Sequence, residues 1–275
     1  MTLQSTFFET SINGAVAHIA MNRPDKANGM TPDFWADLPR LVREIETDMS
    51  VRVLVISGNG KHFTGGMDLA SFNDIAKLTT HEAGRAAFAM RKLILRLQDT
   101  FNALEQARFP VIAAIHGACV GAGIDMTSAC DLRLASEDAF FSIEEINIGM
   151  AADVGTLQRL PKLMAPGIVK ELAYTGRRFS AREALTWGFV NSVHADKATT
   201  LATAMELAAM IAAKSPLAIS GIKKAVDYSR DHPVSESLEQ IATWNAGMLR
   251  PEDMMKAIQA KIAKQEAEFA DLMAG

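Results

Sequence analysis

Short hydrophobic runs in the first 60 residues indicate β-strands. The segments 7–11 and 15–21 flank Asn13-Gly14, which is a hairpin signal because both residues tolerate a positive φ. The β-branched run at 51–57 is continuous rather than alternating, which is typical of a strand that is buried on both faces. These patterns predict a hairpin followed by a buried strand.

Apolar residues at helical spacing lie between and after these strands. One apolar face follows Thr31-Pro32, a pair that favours a helix start, and Pro39 is expected to kink or delay this helix. A second apolar face, from His81 to Ala107, predicts a longer helix. Strands and helices therefore alternate in this part of the chain.

The middle of the chain continues this alternation. We expect strands at 111–116, 132–135 and 140–143. The first of them leads into a glycine-rich loop at 117–123 and a short helix at 124–129. The fold class predicted from these elements is α/β.

The last third of the chain has a helical pattern. Ser180-Ala-Arg-Glu183 fits a capping box, in which the serine and glutamate side chains each bind a backbone N–H at the helix start. From about Thr200 to the end only helices are predicted, and they are interrupted at Pro216, Pro233 and Pro251. We therefore expect a helical C-terminal region after the α/β core.

Composition and charge exclude several classes of protein. The 275 residues include 28 Lys and Arg against 32 Asp and Glu, a net charge of −4 that argues against nucleic-acid or anionic-membrane partners. Cys119 and Cys130 are too few for a disulfide framework, and no targeting segment is visible. The most apolar stretch, 111–126, is interrupted by His116 and Asp125 and does not suit a membrane helix. The expected location is therefore cytoplasmic.

Two glycine-rich loops, each after a predicted strand, are candidates for binding an oxygen atom. They comprise residues 63–69 and 117–125, and their glycines let backbone N–H groups approach a ligand closely. Either loop alone is more typical of a turn or of tight helix–strand packing. Two such loops in one chain favour an oxyanion site with two N–H donors.

Some of the 32 acids occupy unusual positions. Asp125 and Asp153 have apolar neighbours, where ionised acids are rare unless they are paired or functional. Glu144 and Glu145 are adjacent, so in an extended segment one of them faces inward. A buried acid has a raised pKa and can act as a general acid or base near neutral pH. Helix capping or ion pairing explains any single one of them equally well.

Metal and nucleophile signals are missing from the sequence. The six histidines show no i,i+4 pair and no shared Cys/His spacing. No Gly-x-Ser-x-Gly segment occurs, and neither cysteine has a basic neighbour that would activate it. We therefore expect neither a metal site nor a covalent nucleophile.

Three motifs have a spacing that is specific to one superfamily. They are Asn22-Arg23-Pro24 with Asn28, the stretch 63–69, and the stretch 116–123. Together they resemble the crotonase (enoyl-CoA hydratase/isomerase) superfamily over nearly the whole chain. Within it, Asp125 and the stretches 140–145, 149–161 and 228–245 are similar to the branch that isomerises dienoyl-CoA thioesters.

The resemblance implies an architecture and a substrate class. Residues 1–199 would form a crotonase-like spiral of ββα units with the acyl-CoA site, and residues 200–275 a helical oligomerisation region. Members of the superfamily are usually trimers or dimers of trimers. The implied substrate is an acyl-CoA thioester, and no cofactor is expected because coenzyme A is part of that substrate.

The resemblance also implies which residues bind the thioester. The backbone N–H groups of Met67 and Ala122 would form the oxyanion hole, and Ala122 stands where the superfamily often has glycine. The implied substrate-binding residues are Thr64, Gly65, Gly66, Met67, Asp68 and Ala122. No metal-binding residue is implied.

By the same resemblance, three acids carry the chemistry. Glu145 would take a proton from C2 of a 3,5-dienoyl-CoA, and Asp153 would deliver one to C6 to give the 2,4-dienoyl-CoA. Asp125 would tune the pair electrostatically, and like charges at close range make it unfavourable for all three to be ionised together. Two N–H donors stabilise the dienolate, at about 3 kcal/mol of barrier each.

Two alternative functions follow from the same residues. An enoyl-CoA hydratase would hold a water between the acids at the positions of Asp125 and Glu145, but the first is one methylene shorter than the usual glutamate, and Asp153 is not needed. RNA binding, as some crotonase-like proteins show, would require a basic groove with exposed aromatics. The net charge of −4 and the 7% aromatic content argue against it.

Overall fold

The computed structural model describes residues 3–68, 71, 82–249 and 251–273. Nine strands within these residues form two sheets. They are β1 (Phe8–Asn13), β2 (Val16–Met21), β3 (Val53–Gly58), β4 (Val111–Ile115), β5 (Ala118–Val120), β6 (Leu132–Ser136), β7 (Phe140–Ser142), β8 (Phe179–Ser180) and β9 (Ser192–His194). The larger sheet has the order β1-β2-β3-β4-β6-β9 and the smaller one β5-β7-β8.

Ten helices lie in the described residues. They are α1 (Pro32–Thr47), α2 (Ala83–Gln106), α3 (Ala122–Ser128), α4 (Thr156–Leu163), α5 (Pro166–Thr175), α6 (Ala181–Thr186), α7 (Lys197–Ala212), α8 (Pro216–Asp231), α9 (Val234–Met248) and α10 (Pro251–Ala263). Two 3-10 turns, Pro24–Lys26 and Glu144–Ile148, complete the list. The predicted start of the long helix at His81 lies outside the described residues.

The predicted α/β class and several of the predicted strands are confirmed. The Asn13-Gly14 hairpin forms with Asn13 opposite Val16, and Gly14 has a φ of +57°. From β2 onward the larger sheet is parallel, and all six residues of β3 are buried, as its continuous apolar run predicts. The predicted loop at 117–123 instead contains β5, because Cys119 pairs with Phe141 of β7. A strand of three residues is too short to give a periodic signal.

Helix α1 differs from the prediction at Pro39. The expected delay is wrong, because the helix begins at Pro32 and continues without interruption through Pro39. A proline has no N–H, so the carbonyl of Trp35 loses its partner within the helix. The Thr100 hydroxyl of α2 donates to that carbonyl at 3.3 Å. A neighbouring helix thus satisfies the group that the proline leaves unpaired.

Apolar residues are buried on both faces of the larger sheet. On one face, Ala204, Ala208 and Ala212 of α7 pack against Val55 of β3 and Ile112 of β4. A helix with alanines at every fourth position can approach a sheet closely. The opposite face packs against α1 and α2. Helix α7 spans the predicted domain boundary between residues 199 and 200, and that division stays a prediction.

The C-terminal helices begin as the prolines predict. Helices α8 and α10 start at Pro216 and Pro251, and Pro233 precedes α9. Buried Lys223 attaches α8 to the core, since its ammonium group donates to the carbonyl of Phe109 at 3.0 Å and to Asp131 at 2.8 Å. In the described part of the chain no single helix could cross a membrane; α7 and α8 together pass by length and composition, with a bend of 109°.

Candidate active site

The two glycine-rich loops lie side by side. The N–H of Val120 donates to the carbonyl of Thr64 at 3.2 Å. Gly66 has a φ of +88°, and a Cβ there would lie 2.7 Å from the carbonyl oxygen of Val120 and 3.5 Å from the nitrogen of Ala122. Only glycine fits this close approach. The loops that carry Met67 and Ala122, the predicted oxyanion donors, therefore meet.

Local backbone geometry leaves both predicted donors available. Ala122 is the first residue of α3, so its N–H has no acceptor within the helix. The N–H of Met30 donates to the carbonyl of Gly66 at 2.8 Å, and the carbonyl of Met30 accepts the N–H of Asp68 at 3.0 Å. Because alternate residues of an extended segment point to opposite sides, the N–H of Met67 faces away from Met30. That the two N–H groups bind one oxyanion stays a prediction.

Other predicted substrate-binding residues hold the loop together. The buried Thr64 hydroxyl donates to the carbonyl of Asn28 at 2.9 Å and accepts the N–H of Gly66 at 3.1 Å. The N–H of Gly65 donates to the carbonyl of Ala27 at 2.8 Å. Asp68 forms an ion pair with Arg23. Direct substrate binding by these four residues stays a prediction.

The structure brings the three predicted acids together. Asp125 is 1% exposed, and its Oδ1 accepts the N–H of Thr156 at 2.6 Å. Glu145 approaches the start of α3, where its Oε1 lies 3.4 Å from the Cβ position of Gly121. Its Oε2 is buried and has no hydrogen-bond partner among the residues that the structure describes. Asp153 is half-buried. One carboxylate oxygen thus remains available for a proton near the start of α3, which carries the N–H of Ala122.

The adjacent glutamates have different surroundings, although they lie on a 3-10 turn and not in the extended segment that the prediction assumed. Glu144 accepts the Ser142 hydroxyl at 2.7 Å and the Asn147 amide at 3.0 Å. Asn147 lies against Gly176, the left-handed residue that ends α5. These contacts fix the short turn that carries Glu145, so that Glu144 stabilises the turn while Glu145 faces the acid cluster.

Burial raises the pKa of every member of this cluster, and like charges add to the effect for Glu145 and Asp125. Burial and then the charge of Asp125 raise the pKa of Glu145 to about 7, and Asp153 adds to the effect. Burial raises the pKa of Asp125 to about 6, although the hydrogen bonds from Thr156 oppose this. Burial also raises the pKa of Asp153. The cluster therefore retains a proton near neutral pH and can act as both acid and base.

Sequence reasoning missed the groups that hold the acids. Gln98 of α2 donates to the backbone carbonyl of Asp153 at 2.7 Å, and Thr156 binds Asp125. Buried Arg159 pairs with Glu105 at 2.8 Å. Thr156 and Arg159 lie within the stretch 149–161 that shows the family resemblance, but no local pattern indicates their partners on other elements.

An α/β fold in which two backbone donors meet beside clustered acids is suited to stabilising an oxyanion and moving protons next to it. The family model described as enoyl-CoA hydratase/isomerase matches residues 11–271. The chain belongs to the enoyl-CoA hydratase/isomerase family. The expected family and fold class are thereby confirmed.

Known proteins resemble the chain over nearly its whole length. The mitochondrial Delta(3,5)-Delta(2,4)-dienoyl-CoA isomerase of Rattus norvegicus is 46% identical over 261 residues, which cover 94% of this chain and 80% of that protein. The peroxisomal Delta(3,5)-Delta(2,4)-dienoyl-CoA isomerase of Arabidopsis thaliana is 39% identical, covering 99% and 100%. The crystal structure of enoyl-CoA hydratase from Bacillus anthracis has a TM-score of 0.86 and 28% identity, covering 96% and 99%.

These relatives correct the expected cytoplasmic location. The proteins from Rattus norvegicus and Homo sapiens are named mitochondrial, and the one from Arabidopsis thaliana is named peroxisomal. The cytoplasmic expectation was wrong because it rested on the lack of a targeting signal, and such a lack identifies no compartment.

Proposed function

We propose that the chain is a dienoyl-CoA isomerase that converts 3,5-dienoyl-CoA into 2,4-dienoyl-CoA. The observation that carries the proposal is the clustering of Asp125, Glu145 and Asp153 beside two backbone N–H donors. The named activity of relatives that are 44–46% identical supports the same reaction. The substrate is an acyl-CoA thioester, and coenzyme A enters with it, so the proposed reaction needs no separate cofactor or metal.

In the proposed mechanism, the N–H groups of Met67 and Ala122 bind the thioester oxygen. Glu145, through its unpartnered Oε2, takes a proton from C2, and the electron pair spreads over the conjugated dienolate. Asp153 then gives a proton to C6, so that the double bonds move from C3 and C5 to C2 and C4. Asp125 lies near Glu145 and Asp153, and its negative charge makes it unfavourable for all three acids to be ionised at once. Two donors at the oxygen stabilise the dienolate by about 3 kcal/mol each.

Hydration of a 2-enoyl-CoA fits the acids less well. A hydratase must hold a water molecule between two carboxylates, which here would be Asp125 and Glu145. The Oδ1 of Asp125 already accepts the N–H of Thr156 at 2.6 Å, and its side chain is short. The additional acid Asp153 has a role in isomerisation and none in hydration.

The direct test is an assay of the purified protein with 3,5-dienoyl-CoA and, separately, with 2-enoyl-CoA. We expect the absorbance of a conjugated 2,4-dienoyl thioester to appear with the first substrate. With the second, we expect much slower loss of the enoyl chromophore. Fast hydration of 2-enoyl-CoA without isomerisation of the diene would overturn the proposal in favour of the hydratase.

The rate of isomerisation should depend on pH through Glu145. Its pKa lies at about 7, so lowering the pH below 7 protonates the proposed base and should reduce kcat by about tenfold per pH unit. Asp125→Asn removes the neighbouring charge that raises this pKa, so the acid limb should move to lower pH. The measurement is kcat against pH from 5 to 8 for both proteins. Identical flat profiles would contradict the role of Glu145.

Gly66→Ala should remove most of the activity. The added Cβ would meet the carbonyl oxygen of Val120 at 2.7 Å and push the Met67 loop away from Ala122. Loss of one oxyanion donor costs about 100-fold in kcat. Gly14→Ala is the matched control, because Gly14 also has a positive φ but no atom lies within 4 Å of its Cβ position. Gly14→Ala should lose about 1 kcal/mol of stability because of its positive φ, and Gly66→Ala should lose more because of the added clash. An equal loss of activity in both variants would contradict the argument.

We also propose that the chain assembles as a trimer or a dimer of trimers. The C-terminal helices expose large apolar side chains, and exposed apolar patches mark interfaces. They include Ile222 and Val226 of α8, Leu238 of α9, and Ile258 and Ile262 of α10. Light scattering should give three or six times the chain mass of 29.7 kDa. A mass of one chain at micromolar concentration would contradict the proposal.

A further inference from the structure

Arg159 of α4 is a buried cation that the proposed mechanism does not use. It is 9% exposed, and its guanidinium donates to Asn102 at 2.7 Å and to Glu105 at 2.8 Å, both on α2. Burying a charge is unfavourable unless it is paired and hydrogen-bonded. The position of this side chain is therefore fixed by two partners on a neighbouring helix.

The guanidinium of Arg159 lies against the peptide that binds Asp125. A Cβ on Gly155 would lie only 1.9 Å from Nη1 of Arg159, so the side chain packs directly on the Gly155 backbone. Gly155 has a φ of +138°, which strongly favours glycine. The next residue, Thr156, donates its N–H to Oδ1 of Asp125 at 2.6 Å. One peptide unit thus separates the arginine from the buried acid.

Charges from several elements surround this contact. Asp153 raises the pKa of Asp125 and Arg159 lowers it, while Asp125 and Asp153 both raise the pKa of Glu145. Arg159 is the cation in this set. The carboxylate of Glu105, which pairs with Arg159, also pairs with Arg230 of α8, with 2.5 Å between Nη1 of Arg230 and Oε1 of Glu105. The acid cluster is therefore linked through Arg159 and Glu105 to the C-terminal helices.

We propose that Arg159 is a positioning residue that holds the Gly155–Thr156 peptide against Asp125 and supplies the compensating charge for the acid cluster. The kinetic part of this inference rests on the proposed isomerase function, whereas the electrostatic part does not. Glu105 sets how much of the arginine charge reaches Asp125, because it neutralises the same guanidinium. The two residues should therefore act on Asp125 in opposite directions.

The test is an infrared titration of the protonated carboxyl band of Asp125, identified by subtracting the spectrum of Asp125→Asn. Arg159→Met removes the cation and should move the midpoint to higher pH by about 0.5 to 1. Glu105→Gln keeps a hydrogen-bond acceptor but removes the opposing charge, so the midpoint should move to lower pH. General loosening of the structure would not give opposite signs. Unchanged midpoints, or shifts of the same sign, would overturn the proposal.

Kinetics on 3,5-dienoyl-CoA give a second readout. Arg159→Met should lower kcat by about 10-fold or more with KM changed less than about threefold, and Arg159→Lys should recover part of the loss. If Arg159→Met does not fold, Arg159→Met/Glu105→Gln removes both buried charges. The midpoint of this double variant should lie at a higher pH than that of the wild type, by less than the shift expected for Arg159→Met alone. A wild type without isomerase activity would refute the proposed function, while the opposite midpoint shifts would still decide the role of Arg159.

Discussion

Replacing Glu145 by glutamine is expected to lower kcat for isomerisation by about 1,000-fold, with little change in KM. The substitution keeps the size of the side chain and removes only its ability to accept the C2 proton. The buried Oε2 of Glu145 has no partner in the described residues, and its pKa of about 7 suits a base at neutral pH. The measurement is steady-state formation of the 2,4-dienoyl chromophore.

The neighbouring residue provides a matched control for this substitution. Glu144→Gln changes the same chemical group one position earlier, on the same 3-10 turn. The carboxylate of Glu144 accepts hydrogen bonds from Ser142 and Asn147. Its replacement should therefore weaken the turn but change kcat by less than about threefold. If both variants lose activity equally, the turn rather than the Glu145 carboxylate carries the effect.

Asp153→Asn is expected to abolish isomerisation to a similar extent, for a different reason. Burial raises the pKa of Asp153, which favours the protonated form that delivers a proton to C6. Asparagine has no acidic proton to give. The backbone of Asp153 remains held by Gln98 through its carbonyl, so the substitution should leave the segment in place. The assay is again the rate of chromophore formation from 3,5-dienoyl-CoA.

A substitution at another buried aspartate serves as a control, because it distinguishes loss of the proposed proton donor from general damage to the fold. Asp227 of α8 is also a carboxylate whose pKa burial raises, but the charges that act on it are those of Asp131, Lys223, Arg230 and Glu105. Asp227→Asn should therefore retain kcat within about twofold. Normal activity of Asp153→Asn would refute the assignment of this residue, and so would an equal loss in Asp227→Asn.

Much of the fold could be predicted because its elements have strong local signals. The hairpin at Asn13-Gly14, the buried run of β3 and the capping box at Ser180 each depend on neighbouring residues, and all three are confirmed. The strands β5, β8 and β9 were missed because they have only two or three residues and lack the run of large apolar residues at 140–143 that indicated β7. Pro39 misled the prediction because its effect is cancelled by Thr100, which is distant in sequence.

The candidate site shows the same limit more clearly. Asp125, Glu145 and Asp153 could be selected because family motifs mark them, and the structure places them close together. Their environment could not be predicted, because it depends on contacts between elements that are far apart in sequence. Thr156 binds Asp125 across 31 positions, and Gln98 reaches the carbonyl of Asp153 across 55. The burial that raises the pKa values of the three acids depends on such contacts.

The division of labour between Glu145 and Asp153 is the central claim, and hydrogen exchange in D2O tests it most directly. Asp153→Asn, incubated with 3,5-dienoyl-CoA, is predicted to exchange the C2 hydrogens for deuterium without forming the 2,4-dienoyl chromophore. This follows because Glu145 and the two N–H donors suffice to form the dienolate. Glu145→Gln should do neither. Loss of C2 exchange in Asp153→Asn, or exchange in Glu145→Gln at the wild-type rate, would contradict the account.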